Sequence, residues 1–432
     1  MKENLVLLRN RDKENMSDAA EYIATGGYKG LARALEMSGW DIIQELKAAG
    51  LRGRGGAGFP SWLKLKFAYD AVGDTKYIVC NADEGEPGTN KDRVLMLSDP
   101  HSLLEGMAIA GRAIGASRGY IYLRAEYPYV LPVLKQAIDS AKKHNWLGDD
   151  IQGSGFNFDI SIRLGAGAYV CGEETALFES IEGRRGEPRL RPPYPANQGL
   201  FGKPTCLNNV ETLANMSHIL REGAEWYNTL GVEGSRGTKL FTVSGNVNNR
   251  GVYEFDMGIN LKELIYDFCG GISDGHKLLA VQTGGASGAI INPDQIDFNL
   301  DIDHAAPGGG RLGCGTIFVV DDTNCVLDIV RNNMAFFCSE SCGKCVPCRE
   351  GTRRIFLLID KICSGKGTVR DLKNIVDLAN TIKIAAFCGL GHSSAVPILS
   401  AIENFPDEFN SHLDGDYCAC CARLERSVIL DA

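Results

Sequence analysis

A layered α/β body, then a small β-rich unit, then a C-terminal helical bundle is the architecture this 432-residue sequence predicts. Three observations carry the expectation. Over residues 1–240 helical and extended segments alternate, as they do around a largely parallel sheet. Over 241–325 short extended runs surround a single helical stretch. Over 326–432 apolar residues recur at helical spacing instead.

The elements follow in order. Asp41–Leu51 (DIIQELKAAGL) has helical spacing and runs into the glycine-rich LRGRGGAGFP. TKYIVC (Thr75–Cys80) reads as a short buried strand opening into NADEGEPG. His101–Ala116 is helical, Tyr120–Tyr127 extended, and Tyr129–His144 helical again. Gly186–Pro204 is too rich in Pro and Gly for regular structure, so it wraps the surface or lines a site. FTVSGNV, GVYEFDMG, KLLAVQTGG and GTIFVVDD, with the helical NLKELIYDFCGG, resemble a β-grasp. VLDIVRNNMAFF, REGTRRIFLLIDKI, VRDLKNIVDLANTI and HSSAVPILSAIENF make the bundle.

Composition narrows the chemistry. A formal charge of −9 without an extended basic patch argues against nucleic acid as a partner. No apolar run approaches the ~18–20 residues of a membrane helix, so direct membrane insertion is not expected. The first residues lack the apolar core and cleavage site of a secretory signal, and a cytoplasmic location is expected. There, 15 cysteines point to metal or redox chemistry rather than disulfides. Four of them (Cys80, Cys171, Cys206, Cys269) precede residue 300, in apolar or glycine-rich contexts that read as core. The rest crowd the C-terminal part.

ESCGKCVPCREG places Cys342, Cys345 and Cys348 in a C-x2-C-x2-C run. Thiolates at this spacing can each reach a different iron of a cubane cluster, with a fourth from elsewhere, for which Cys388 is the candidate. Zinc is the competing reading, although zinc sites more often pair two C-x2-C units. In LRGRGGAGFP, backbone N–H groups can close on phosphates or a flat ring, whereas isolated glycine clusters often serve packing alone. NADEGEPG gathers Asp83, Glu84 and Glu86, acceptors for ribose or amide hydrogens, and GAGAYVCGEETAL leads Glu173 and Glu174 into a helix. A solvated turn with a favourable charge at a helix start is the bland account of each acidic pair.

Together LRGRGGAGFP, IVCNADEGEPG, GAGAYVCGEETAL, KPTCLNNVETLAN and ESCGKCVPCREG resemble the flavin-bearing, NADH-oxidising subunit of respiratory complex I, the 51-kDa or NuoF type. Homologous subunits of NAD-linked iron hydrogenases and formate dehydrogenases belong to the same family. The resemblance implies a Rossmann-like FMN- and NADH-binding domain, a β-grasp domain and a helical domain carrying a 4Fe-4S cluster. It implies that Gly53, Arg54, Gly55, Gly56, Ala57 and Gly58 floor the NADH site, with Phe59 and Phe67 on the adenine and Lys64 on ribose or phosphates. Glu86 and Glu174 would contact NADH near the flavin, as the catalytic pair. Asn81, Asp83, Glu84, Gly172, Glu173, Asn208, Asn209 and Thr212 would hold FMN. Tyr194 stands where the family often has phenylalanine, and RPPYPANQG would be a lid over the flavin. Ser61-Trp62 departs from the family's usual Thr-Gly, which puts the local loop shape in question.

The implied function is hydride transfer between NADH and FMN, then single-electron transfer through the cluster. The implied partners are a thioredoxin-like 2Fe-2S subunit and a further iron–sulfur or catalytic subunit. Crowded carboxylates favour NADH over a dinucleotide bearing an extra phosphate. At the C-terminus, SHLDGDYCACC offers His412, Cys418 and Cys421, which with Cys325 would make a closed zinc set; Cys420 is an alternative ligand. Hydrogenase-type members carry a similar tail, which favours a soluble hydrogenase or formate dehydrogenase complex, with electron bifurcation as an option, over complex I. A non-catalytic electron-transfer or assembly subunit is the rival of another class. His392, close to Cys388, is placed to tune the cluster by a hydrogen bond.

Overall fold

The computed structural model describes residues 4–304, 311–413 and 421. Its first sheet is four-stranded, built from β1 (Tyr77–Ala82), β2 (Arg118–Leu123), β3 (Asp159–Leu164) and β4 (Thr205–Asn209). The spatial order is β3-β2-β1-β4 and every pair is parallel. Side chains alternate across it. Ile78, Cys80 and Ala82 enter a core shared with the helices Pro100–Ile114 and Val210–Glu222, whereas Val79 enters a second core on the opposite face. A parallel sheet needs both faces covered, and here the iron–sulfur helices supply much of the second cover.

Helix ends are set locally. Asp99 caps Pro100–Ile114, Pro100 opens it, and Gly115 closes it at φ 74°. Asn209 caps Val210–Glu222 through the Glu211 amide, and Glu173 caps Glu174–Ile181 through the Thr175 and Ala176 amides.

The second sheet holds β5 (Thr238–Gly245), β6 (Gly251–Asp256), β7 (Leu278–Thr283), β8 (Ile290–Ile291) and β9 (Thr316–Asp321) in the order β8-β7-β9-β5-β6. Its β9–β5 pair is parallel and the others antiparallel, the mixed pattern of a β-grasp. The strand β5 begins at Thr238, ahead of the division expected at 241. The extended N-terminal segment is tied to this sheet, because the amides of Val6, Leu7 and Leu8 donate to Glu254 in β6. The helices Val326–Glu340, Val346–Cys363, Val369–Ala385 and Val396–Asn404 form the C-terminal bundle. Within Gly186–Pro204 the structure forms only the short turns Pro195–Gln198 and Leu200–Gly202. Among the described residues no helix is long and apolar enough to cross a membrane.

Candidate functional site

Strand order reverses between β1 and β4, which puts a crevice at their carboxyl ends, where open α/β sheets bind ligands. Asn81 and Asn209 face each other there in register. A cleft of about 260 Å³ opens beyond them. Of the residues expected to bind, Gly55, Asn81, Asp83, Glu84, Glu86, Gly172, Glu173 and Asn209 line it. Residues not anticipated complete the wall: Gly85, Thr89, Lys91, Asp92, Tyr169, Val170, Cys314, Gly389, Leu390 and Ser393. Tyr169 and Val170 belong to the GAGAYVCGEETAL motif, whose glutamates are the more conspicuous residues. Cys314 comes from the β-grasp domain, just before β9.

The glycine loop is a closed turn. The Gly53 amide donates to the Phe59 carbonyl at 2.8 Å and Arg52 Nε donates to the Gly58 carbonyl at 2.7 Å. Arg54 is buried, and its guanidinium donates to the carbonyls of Arg52, Arg236 and Thr238 and to the Tyr227 hydroxyl, so the side chain anchors the loop from behind. Its amide donates to Thr212 Oγ1 at 2.8 Å, which ties the loop to the helix that Asn209 caps. Gly55 passes so close to Asn209 that a Cβ would lie 2.9 Å from the Asn209 Cβ. Gly53, Arg54, Gly56, Ala57 and Gly58 line a separate recess of about 50 Å³ with Lys239 and Arg311. Asn208, one strand position from Asn209, points the other way and donates to Cys206 Sγ at 3.4 Å.

Phe59, Phe67 and Tyr194 are exposed outside the cleft, available to stack on a bound ring. Lys64 reaches Glu174 at 3.4 Å and the Leu207 carbonyl at 3.2 Å. Arg191, which no sequence motif singles out, bridges Glu173 and Glu174 from the proline-rich segment. Trp62 packs on the first core beneath Lys47, which lies 4.9 Å from its ring, so the departure from Thr-Gly is absorbed by packing.

The acidic loop divides its labour. Glu84 accepts from the Asp92 and Arg93 amides at 2.8 and 3.0 Å, capping Lys91–Ser98, and from the Tyr127 hydroxyl. Burial pushes its pKa up to about 7. Glu86 accepts from the Tyr169 hydroxyl at 2.5 Å and the Ser287 amide at 3.2 Å. Behind the cleft, the fully buried Glu211 accepts from Lys239 at 2.6 Å and lies 2.9 Å from Lys91. Burial alone would lower Lys91; Asp92, Glu211 and Glu84 reverse this and raise it.

Cys342, Cys345, Cys348 and Cys388 line one small cavity together. Cys345 and Cys388 stand at the N-cap positions of Val346–Cys363 and Gly389–Ser394, where helix dipoles favour negative charge. The Phe387 amide donates to Cys345 Sγ at 3.4 Å. His392 bonds the Lys383 carbonyl at 2.8 Å. Val170 and Leu390 line both this cavity and the cleft. Farther off, Cys325, His412 and Cys421 converge: Cys325 Sγ lies 3.6 Å from both His412 Nε2 and Cys421 Sγ, and Cys421 Sγ lies 3.8 Å from His412 Nε2. Cys418 and Cys420 lie outside the described residues.

Comparison with known proteins matches residues 46–218 to the Nuo51 FMN-binding domain, 239–307 to the SLBB domain, and 328–412 to the NADH-ubiquinone oxidoreductase-F iron–sulfur binding region. The chain is 46% identical over 420 residues to the NADP-reducing hydrogenase subunit HndC of Solidesulfovibrio fructosivorans, spanning 96% of this chain and 85% of that one. The chain belongs to the Nuo51 flavoprotein family. A second F-type NADH-quinone oxidoreductase protein, from Rhizobium meliloti, is 44% identical over 96% of this chain and 98% of its own length. A crystal structure of an NAD+-reducing NiFe-hydrogenase in the air-oxidised state superimposes with a TM-score of 0.83 at 38% identity, over 95% of this chain and 67% of that one.

As a Nuo51 protein, the chain is an FMN-dependent NADH oxidoreductase subunit with a 4Fe-4S region. The cleft fits FMN on its own terms. Asp83 Oδ2 is buried without a hydrogen-bond partner, an acceptor that a ligand hydroxyl satisfies. Burial pushes the Asp83 pKa up to about 7. Donors from a bound ligand favour the charged carboxylate, so binding releases a proton from the protonated form. FMN affinity of the apoprotein should therefore rise with pH up to and through about 7, measured by quenching of FMN fluorescence. Asp83→Asn should flatten that dependence.

Proposed function

We propose that this chain is the nucleotide-oxidising flavoprotein subunit of a soluble hydrogenase or formate dehydrogenase complex, passing electrons from NADH singly to partner subunits. The observation that carries the relay is the shared wall of Val170 and Leu390 between the cleft and the four-cysteine cavity. Bound in the cleft, FMN supplies the exchange between a two-electron hydride and single electrons. Asp83 accepts from its hydroxyls, Asn81 and Asn209 orient it, and the capped N-terminus of Val210–Glu222 faces its phosphate. Glu86 and Glu174 accept from the dinucleotide, while Lys64 and the exposed Phe59, Phe67 and Tyr194 hold its outer half. Glu173, Glu174 and Glu86 together disfavour an extra 2′-phosphate. The protein should bind NADH at least about tenfold more tightly than NADPH, a difference of about 1.4 kcal/mol; equal affinities would contradict this assignment.

The choice of complex rests on the C-terminal side chains. A tetrahedral zinc with Zn–S near 2.3 Å and Zn–N near 2.0 Å has ligand–ligand edges of roughly 3.5–3.8 Å. The edges joining Cys325, His412 and Cys421 run from 3.6 to 3.8 Å. His412 Nδ1 is held by the Glu408 carbonyl at 2.6 Å, leaving Nε2 toward the sulfurs. Cys418 is the proposed fourth ligand. Purified protein should carry one zinc that Cys325→Ser removes while the iron content stays constant. Partners of the kind expected, a thioredoxin-like 2Fe-2S subunit and a further iron–sulfur or catalytic subunit, should co-purify with the native chain.

A further inference from the structure

The turn joining β7 to β8 reaches out of the β-grasp domain and closes on Glu86. The Ser287 amide donates to Glu86 Oε1 at 3.2 Å, and the Ala286 amide also faces this carboxylate. Adjacent amides turned toward one anion form a nest, which fixes a carboxylate more firmly than one flexible donor does. The Tyr169 hydroxyl takes Oε2 from the opposite side, so both oxygens are held.

Space is as tightly set as the hydrogen bonds. Gly285 has φ +91°, and a Cβ there would lie 2.3 Å from Glu86 Cγ. The turn is itself braced: Gln282 Nε2 donates to the carbonyls of Ala286 and Gly288 at 3.3 and 3.2 Å. Gln282 Oε1 in turn accepts from Asn333 in the iron–sulfur bundle at 3.2 Å. A chain of contacts thus runs from the helical domain, through the β-grasp turn, to one carboxylate of the cleft.

We propose that Gly285, Ser287 and Gln282 are positioning residues for Glu86, so that the β-grasp domain sets the affinity of the flavoprotein for its dinucleotide. The proposal rests on the reading of Glu86 as a dinucleotide contact. A carboxylate held in place before binding loses little freedom when the nucleotide arrives, which is the source of the affinity.

The test is a double-mutant cycle on the FMN-loaded protein, read as the dissociation constant of NAD+ by calorimetry and as KM against kcat for NADH. Gly285→Ala and the milder Gln282→Ala should each weaken NAD+ binding, Gly285→Ala by about tenfold, and should raise KM with little change in kcat. In a Glu86→Ala background neither should have further effect, because the side chain they position is gone. Unchanged affinity in both single variants, while Glu86→Ala weakens binding, overturns the proposal and leaves Glu86 as a contact. Equal losses in both backgrounds also overturn it, since they report general damage to the fold. An unaltered dissociation constant in Glu86→Ala removes the reading of Glu86, and this proposal with it.

Discussion

Cys388→Ser should separate the entry of electrons from their exit. Cys388 caps Gly389–Ser394, and the first turn of that helix brings Gly389 and Leu390 to the flavin cleft. The ligand and the wall of the cleft are consecutive residues. Serine keeps the cap and the backbone, so the cleft should survive and NADH should still bleach the flavin. The cluster should be lost or unstable, because a hydroxyl is a poor iron ligand beside three thiolates. Loss of supporting contacts alone typically costs 10–100-fold in metal affinity or activity, and loss of a ligand should exceed that. Reduction of a protein acceptor that depends on the cluster should therefore fall by more than about 100-fold. Iron analysis and electron paramagnetic resonance check the first half, and stopped-flow flavin absorbance checks the second. Loss of flavin bleaching in a folded, FMN-loaded variant would show that cleft and cluster are not separable in this way.

Glu211→Gln should be the most destabilising single change near the site. Glu211 is fully buried, between Lys239 at 2.6 Å and Lys91 at 2.9 Å, and it also accepts from the Leu240 amide at 2.8 Å. It joins the first helix turn after β4, the helix entered at Lys91 and strand β5, and so fastens the flavin domain to the β-grasp domain. Removing one partner from a buried charge network typically costs about 3–5 kcal/mol, because the remaining charges are left without compensation. Lys239 gives the effect a pH signature. Burial, opposed by Glu211, already lowers its pKa to about 8. A lysine lowered in the folded state binds fewer protons there than in the unfolded chain, so stability rises with pH between the two values. Without Glu211 the folded value falls further, and the rise should begin at lower pH than in the unaltered protein. Denaturant unfolding at several pH values measures both effects.

The cluster was legible in the sequence because three ligands share one loop and their spacing is the signal; Cys388 followed from the same motif logic. The glycine and acidic loops were legible for the same local reason. Longer-range features were not. Lys91, Glu211 and Lys239 come from separate elements, and no spacing rule connects them. β3 and β4 escape sequence reading, since TCLNN is only five residues long and ends in asparagines that read as a loop. That brevity also hid which of Asn208 and Asn209 meets the cleft, a choice made by the two-residue period of the strand. The recess behind the glycine loop, and the internal anchoring of Arg54, depend on the β-grasp domain packing against it. Cys314 belongs to the same class: its chemistry is visible in sequence, its place in the cleft is not.

The central claim is a relay in which NADH delivers an electron pair to the cleft and single electrons leave through the wall of Val170 and Leu390. The most direct measurement is anaerobic titration of FMN- and iron–sulfur-loaded protein with NADH, following flavin absorbance and cluster electron paramagnetic resonance together. The flavin should bleach and a reduced-cluster signal should appear, with the signal absent in Cys388→Ser. Flavin that stays oxidised under excess NADH, in protein shown to hold FMN, would contradict the account.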